Sequence, residues 1–409
     1  MTSDSVEPLW FSVIVCSWQR ASWLRRCLLS LRQLDYPTFE IVIVADQNAL
    51  NQIDATGLKT VPFDEPNLAK ARNAGIAAAG GDFCAFIDDD SVAEPMWLAQ
   101  LALGLASTGA MAATGYVRGR NGISFQSQFA TVDREAETHS EPSPNCAAVP
   151  KVTPGRAVKL VGTNMAISRE VLVNLGGFDP VYRYFLEDTD LSIRVFDAGF
   201  PICVIPDAEV HHAYAASPRR TRLRAPVSLY DIGRSTALFL RRHNSERVDE
   251  IRARVFLRER LRVCRHIVLG TCEPRDLRRL LASLEEGWRD GASAVLSVLP
   301  KIEKNDFFQQ LETASLGQHT QLSHLYLNRN RALEAASKMV KAGTRVSLFS
   351  FSLTAFRHRV TFTKSGVWLH TGGVFGPSER TQPAFRWCRF ANRWKEETTR
   401  VAIARGLRD

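Results

Sequence analysis

The sequence predicts an α/β fold built on a parallel sheet, and two observations carry that expectation. First, strand-like and helix-like segments alternate. Apolar runs over residues 12–16, 40–45 and 82–87 read as buried strands. Between them, 23–31 has helical spacing (Leu24, Leu28, Leu31), and 67–79 is Ala-rich and closed by Gly80-Gly81. That order implies right-handed crossovers and parallel strands. Second, all three runs end on polar residues: Ser17, Asp46 and the triplet Asp88-Asp89-Asp90. Ligands bind such sheets beyond the carboxyl ends of the strands, so this convergence marks a site.

The later segments follow in order. Residues 118–154 are polar and proline-rich and read as a long loop or flap. Sheet-like sequence resumes over 159–167, and a helix is expected over 187–198 after the Gly176-Gly177 break. Residues 225–340 read as mainly helical and basic. Short β runs follow at 346–351, 360–362 and 367–370, with Lys364-Ser365-Gly366 as a hairpin turn.

Composition bounds the function. The chain has 409 residues, 45% hydrophobic and 23% charged, an ordinary globular make-up. No apolar run approaches the roughly 20 residues that span a bilayer. Residues 1–8 are polar and acidic, so no signal peptide is expected. The eight cysteines form no C-x-x-C pair, and Cys16, Cys84 and Cys203 lie in apolar runs. They read as reduced core residues of a cytoplasmic protein. The net charge of +9 is concentrated in arginines, at Arg219, Arg220, Arg222 and Arg224 and then from Arg252 to Arg265. Such a surface suits an anionic partner, whether lipid headgroups, a diphosphate or nucleic acid; the competing reading is a solvated helix face. No nucleic-acid-binding motif is present, and no nucleic-acid partner is expected.

Three adjacent carboxylates at a strand end repel one another unless a cation sits among them. Hard divalent ions such as Mn²⁺ or Mg²⁺ take oxygen ligands and share their shell with substrate phosphates. On an extended chain Asp88 and Asp90 share one side. An acidic turn capping the next helix would use the same residues.

The ordered set of motifs resembles an inverting family 2 glycosyltransferase with the GT-A fold. The segments that carry the likeness are Ser12-Val13-Ile14-Val15-Cys16-Ser17-Trp18-Gln19-Arg20, Ile43-Val44-Ala45-Asp46, Leu68-Ala69-Lys70-Ala71-Arg72-Asn73-Ala74-Gly75 and Phe86-Ile87-Asp88-Asp89-Asp90. Further along come Gly162-Thr163-Asn164, Gly176-Gly177-Phe178-Asp179, Glu187-Asp188-Thr189-Asp190 and Val210-His211-His212. The resemblance covers about residues 10–215 and implies a GT-A nucleotide-sugar-binding domain over 1–224. A mainly helical C-terminal region with a small β piece would follow over 225–409, for acceptor, membrane or oligomer contacts.

The resemblance also implies roles. Ser17, Arg20, Asp46, Arg72, Asn73, Asp88 and Asp89 would contact the nucleotide-diphospho-sugar donor, expected to be a UDP-sugar with dTDP- or GDP-sugars as alternatives. Asp90, His211 and Asp88 would hold Mn²⁺ or Mg²⁺, with His212 as the alternative histidine. Gly162, Thr163 and Asn164 would face a saccharide or lipid-linked acceptor. Asp188 would act as general base, with Glu187 orienting the acceptor. The expected setting is surface polysaccharide or glycoconjugate assembly in the cytoplasm, with peripheral contact on the inner, anionic face of the membrane. The absence of a Q-x-x-R-W motif argues against a processive synthase. Two other readings compete: a sugar nucleotidyltransferase, disfavoured because Ser17-Trp18-Gln19-Arg20 has no glycine, and a non-catalytic polyanion-binding protein.

Overall fold

The computed structural model describes residues 8–213, 219–221, 223–243, 246–296, 298–299, 301–312, 317–325 and 328–407. The N-terminal half opens with β1 (Phe11–Ser17), α1 (Ala21–Leu31), β2 (Phe39–Ala45), α2 (Gln47–Leu50), β3 (Lys59–Pro62), α3 (Leu68–Ala78), β4 (Phe83–Asp88) and β5 (Ser91–Ala93). It continues through α4 (Trp97–Thr108), β6 (Ala112–Arg118), β7 (Phe125–Ser127), β8 (Ala130–Asp133), β9 (Thr138–Ser140), β10 (Arg156–Val158) and β11 (Met165–Ser168). Helices α5 (Arg169–Asn174) and α6 (Glu187–Asp197) lead to the long strand β12 (Ile202–His212).

These strands form one large mixed sheet in the order β3-β2-β1-β4-β11-β6-β12-β5. β1 pairs in parallel with both β2 and β4, which sets the ends of all three strands side by side. β11 is antiparallel to its neighbours, and β12 is parallel to β6. Because the sheet is covered on both faces, β2 is buried along its whole length rather than alternating. One face packs on α1 and α4, the other on α3 and α6. α3 is capped by Asn67, whose side chain accepts the Lys70 amide at 3.0 Å. It lies tight on β1 through Gly75, where a Cβ would fall 2.5 Å from Ile14.

Residues 118–154 are not a bare flap. They contain β7, which pairs with β6, and β8 and β9, which join β10 in a three-stranded antiparallel sheet. Short runs such as Ala130–Asp133 were masked by the polar, proline-rich sequence around them.

The second half comprises α7 (Tyr230–His243), α8 (Val248–Val268), α9 (Pro274–Ser293), β13 (Gly317–Leu325), α10 (Arg329–Lys341), β14 (Thr344–Ser352), β15 (Arg359–Phe362), β16 (Trp368–Gly373) and α11 (Phe390–Ala404). The β component is larger than the sequence suggests: β13, β14, β16 and β15 form a four-stranded sheet, and β13 falls inside the stretch read as helical. The chain after 225 is stitched into the first half at several points. Leu311 N–H donates to Phe39 O at 2.9 Å, and His243 reaches Asp190 of α6 at 2.8 Å. Arg405 beyond α11 pairs with Glu94 at 2.8 Å. All eight cysteines are free, with Cys84 and Cys203 buried. Among the described residues no helix is long and apolar enough to cross a membrane.

Candidate active site

The ends of β1 and β4 and the start of α6 open into one cavity of about 720 Å³. On one wall are Asp88, Asp89 and Asp90. Asp89 is buried, accepts a hydrogen bond from Ser17 Oγ at 2.7 Å, and pairs with Arg20 at 2.9 Å. Arg20 also reaches Asp90 at 3.0 Å. Burial pushes the Asp89 carboxyl up to about 7, against the pull of Arg20 and with the help of Asp90's charge. The bare acidic cluster is therefore electrostatically unfavourable, and added positive charge would relieve it.

Three of its neighbours fit a metal. Ligand atoms of Asp88, Asp90 and His212 lie within 4.8 Å of one another, and His212 Nε2 is 3.2 Å from Asp90. Burial works against charge on His212, but its hydrogen bond and charge pairing with Asp90 outweigh it and raise its pKa. The two carboxylates match the oxygen preference of Mn²⁺ or Mg²⁺, and the imidazole is a third donor that suits Mn²⁺ better than Mg²⁺. The adjacent residue, His211, is not part of this group. Its side chain points to the opposite face of β12, with Nε2 2.8 Å from Glu94 and its ring against Trp368. In the group that could hold a metal, His212 therefore stands where His211 was expected, since alternation along a strand sends neighbours to opposite faces.

On the facing wall stand Glu187 and Asp188, the first residues of α6. Their backbone entry is strained: Phe185 and Leu186 both sit in the left-handed region, with φ of 72° and 68°. Non-glycine residues there cost of order 1–3 kcal/mol each and persist where the surroundings impose them. Asp188 is partly exposed to the cavity; its Oδ2 accepts the Gly162 amide at 3.1 Å and its Oδ1 the Thr189 hydroxyl at 3.2 Å. Glu187 is buried and paired with Arg72 at 3.0 Å. Burial, then the charge of Asp188, drive its carboxyl up to about 7 against Arg72.

Arg72 joins the two walls. It is buried, reaches Glu187 and, at 3.5 Å, Asp88, and donates to Gly162 O at 3.1 Å. Gly162 lets the guanidinium approach closely: a Cβ there would lie 2.5 Å from Arg72 and force it to shift. Thr163 donates its hydroxyl to Asp88 at 2.5 Å.

Three expected contact residues lie elsewhere. Asn164 is fully buried and spends its side chain on Trp97, Tyr116 and Ala208, joining β6 to β12. Asn73 clamps the backbone of Phe178 at 2.7 and 2.8 Å. Asp46 does not line the cavity; it accepts the Gln19 amide at 2.6 Å and caps α2 through the Ala49 amide at 3.0 Å. All three carry polar side chains at positions where the backbone needed a partner, which sequence cannot separate from ligand contact. Conversely, Trp18, Phe63, Arg183 and Tyr184 line the cavity without having been singled out. For Arg183 and Tyr184 the available signal was their position just ahead of Glu187. Arg219, Arg220, Arg258 and Arg262 of the basic stretch also reach the cavity, whereas Arg222 lies outside the described residues.

The family model described as Glycosyl transferase family 2 matches residues 12–176. The succinoglycan biosynthesis protein ExoM of Rhizobium meliloti is 30% identical over 224 residues, which make up 50% of this chain and 67% of ExoM. The chain belongs to glycosyl transferase family 2. The probable glycosyltransferase YdaM of Bacillus subtilis is 28% identical over 222 residues, 48% of this chain and 49% of YdaM, so the match spans about half of that relative. Among solved structures, the mannosyltransferase PcManGT from Pyrobaculum calidifontis with GDP-Man and Mn²⁺ is similar at a TM-score of 0.42 and 17% identity, over 71% of this chain and 90% of that one. TarS of S. aureus with UDP-GlcNAc gives 0.41 and 17%, over 69% and 89%. This glycosyltransferase has the mixed, Rossmann-like sheet of the GT-A fold, with the acidic cluster at its strand ends.

Proposed function

We propose that the enzyme moves a sugar from a nucleotide-diphosphate donor to an acceptor hydroxyl, with inversion and with a divalent metal. The observation that carries this reading is the facing of two carboxylate sets across one cavity: Asp88 and Asp90 with His212, and Asp188 with Glu187. Asp88, Asp90 and His212 would hold Mn²⁺ or Mg²⁺, which supplies positive charge against the departing diphosphate. Asp188 takes the proton of the attacking hydroxyl; the Gly162 amide and Thr189 hydroxyl fix its direction. Glu187 and Arg72 form the buried brace that keeps Asp188 and Asp88 at a set separation. Trp18 and Phe63 line the cavity and offer aromatic surface suited to a nucleotide base, and Asp46 positions the loop that carries Ser17 and Arg20.

The donor class we propose is a UDP-sugar. The acceptor is a saccharide or lipid-linked hydroxyl in surface polysaccharide assembly, a reading supported by the name of ExoM. A peripheral position at the inner face of an anionic membrane is supported by the outward side of α8, where Leu257 and Leu261 are exposed next to exposed Arg260 and Arg265.

The test is release of nucleoside diphosphate from a panel of UDP-, GDP- and dTDP-sugars, with Mn²⁺ or with EDTA, for the wild type and Asp90→Ala. Metal-dependent release from one donor, lost in Asp90→Ala, is the expected result. Release that persists in EDTA, or in Asp90→Ala, would overturn the metal-dependent reading.

A further inference from the structure

A second cavity, of about 320 Å³, shares His212 and Arg220 with the first, but neither Asp188 nor the aspartate triplet lines it. Its walls come from four parts of the chain: α1, the turn after β6, the segment following β12, and β15 of the C-terminal sheet. Arg26, Arg120, Arg220 and Arg224 line it together with Trp23, and no carboxylate is among the described lining residues. This is the reverse of the first cavity, where acidic side chains face the arginines.

Two of these arginines, Arg26 and Arg120, carry the argument. The Arg26 Nε–H is buried without an acceptor, and its guanidinium lies 5.5 Å from the Trp23 ring centroid. Burial lowers its pKa, a second sign that its charge is poorly compensated. A buried donor on a cation is costly unless an acceptor arrives, and an anion would supply it. Arg120, on the turn after β6, lines the cavity, is exposed and makes no ion pair among the described residues. Guanidinium forks match phosphoryl oxygens in pairs, which favours phosphate-type anions over a single carboxylate. The volume is at the small end for ligand pockets and suits a compact head group.

We propose that this cavity binds a phosphoryl or diphosphate group directly on arginine side chains, without a metal, at a site separate from the acidic cluster. The group is either free inorganic diphosphate or the diphosphate head of a prenyl-linked ligand. The proposal does not depend on the donor reading, because it requires neither nucleotide nor metal.

The experiment is calorimetric titration of inorganic pyrophosphate into the full chain in EDTA. Wild type is compared with Arg120→Gln and with the double variant Arg26→Gln/Arg120→Gln. Each arginine removed is expected to weaken pyrophosphate by about tenfold, the size of one charge-assisted hydrogen bond. Arg120→Gln alters only an exposed side chain, so it keeps the test informative if the double variant misfolds. Geranyl diphosphate serves as the second probe: tighter binding than pyrophosphate assigns the site to a prenyl-linked ligand, equal binding to a free diphosphate. Unchanged pyrophosphate affinity in both variants, or no binding by the wild type at millimolar concentration, overturns the proposal. Titration of UDP with Mn²⁺ in parallel keeps the two readings apart, since its failure would count against the donor site alone.

Discussion

Replacing His212 and His211 one at a time by alanine gives opposite outcomes if the side chains act as their directions indicate. His212 supplies one of three candidate ligands, 3.2 Å from Asp90. Even an outer-shell partner of a metal ligand is worth 10–100-fold in affinity, so His212→Ala should weaken Mn²⁺ by at least about 10–100-fold, or about 1.4–2.7 kcal/mol. Its effect on folding should be small. His211→Ala instead removes a hydrogen bond to partly buried Glu94 and the contact with Trp368, while Arg405 still pairs with Glu94. A lost bond to a charged group costs about 1.5–3 kcal/mol. At roughly 1.2 °C per kcal/mol for a chain of 409 residues, the melting temperature should fall by about 2–4 °C. Manganese affinity, read by electron paramagnetic resonance with UDP present, and thermal unfolding in EDTA give the two readouts. If His211→Ala lost manganese as severely as His212→Ala, the reasoning from strand alternation would be wrong.

Four further outcomes are expected. Asp188→Asn should lower nucleoside diphosphate release by about 10²–10⁴-fold while leaving Mn²⁺-dependent UDP affinity intact; loss of both together would move Asp188 out of the base role. Arg72→Met leaves Glu187 buried beside Asp188 without its cation and should destabilise the fold by about 3–5 kcal/mol, measured by urea unfolding, with an unchanged midpoint as the refuting result. The pH dependence has a definite sign. Glu187 holds its proton up to about 7 in the folded state but only to its ordinary value of 4.5 when unfolded. Its contribution is therefore present below pH 4.5 and lost as pH rises towards 7, and Glu187→Gln should flatten that part of the stability profile in EDTA. Finally, Leu257→Glu with Leu261→Glu should reduce sedimentation with phosphatidylglycerol vesicles, and the wild-type binding should weaken with salt; a wild type that ignores such vesicles would remove the membrane reading.

The sequence by itself determined the opening of the fold and the chemistry at the strand ends. Residues 12–16, 40–45 and 82–87 are apolar runs of strand length separated by helical spacing, the pattern of a sheet buried on both faces. Ser17, Asp88, Asp89 and Asp90 were legible as polar strand ends, and Arg20, Glu187 and Asp188 through the family resemblance; all of them line the cavity, whereas Asp46, also a strand end, does not. Tertiary structure alone decided the rest. Strand period two means that one residue of register exchanges the faces of His211 and His212, and only the antiparallel pairing of β12 with β5, which sets His212 opposite Ser91, places His212 beside Asp90. Asn73, Asn164 and Asp46 read as ligand contacts because a buried polar side chain looks the same in sequence whether it serves substrate or backbone; which one it serves depends on the groups brought near it by folding. The same holds for Arg72, whose partners Asp88 and Glu187 are 16 and 115 residues away, and for the cavity lined by Arg26 and Arg120, whose charges meet only where distant elements pack together.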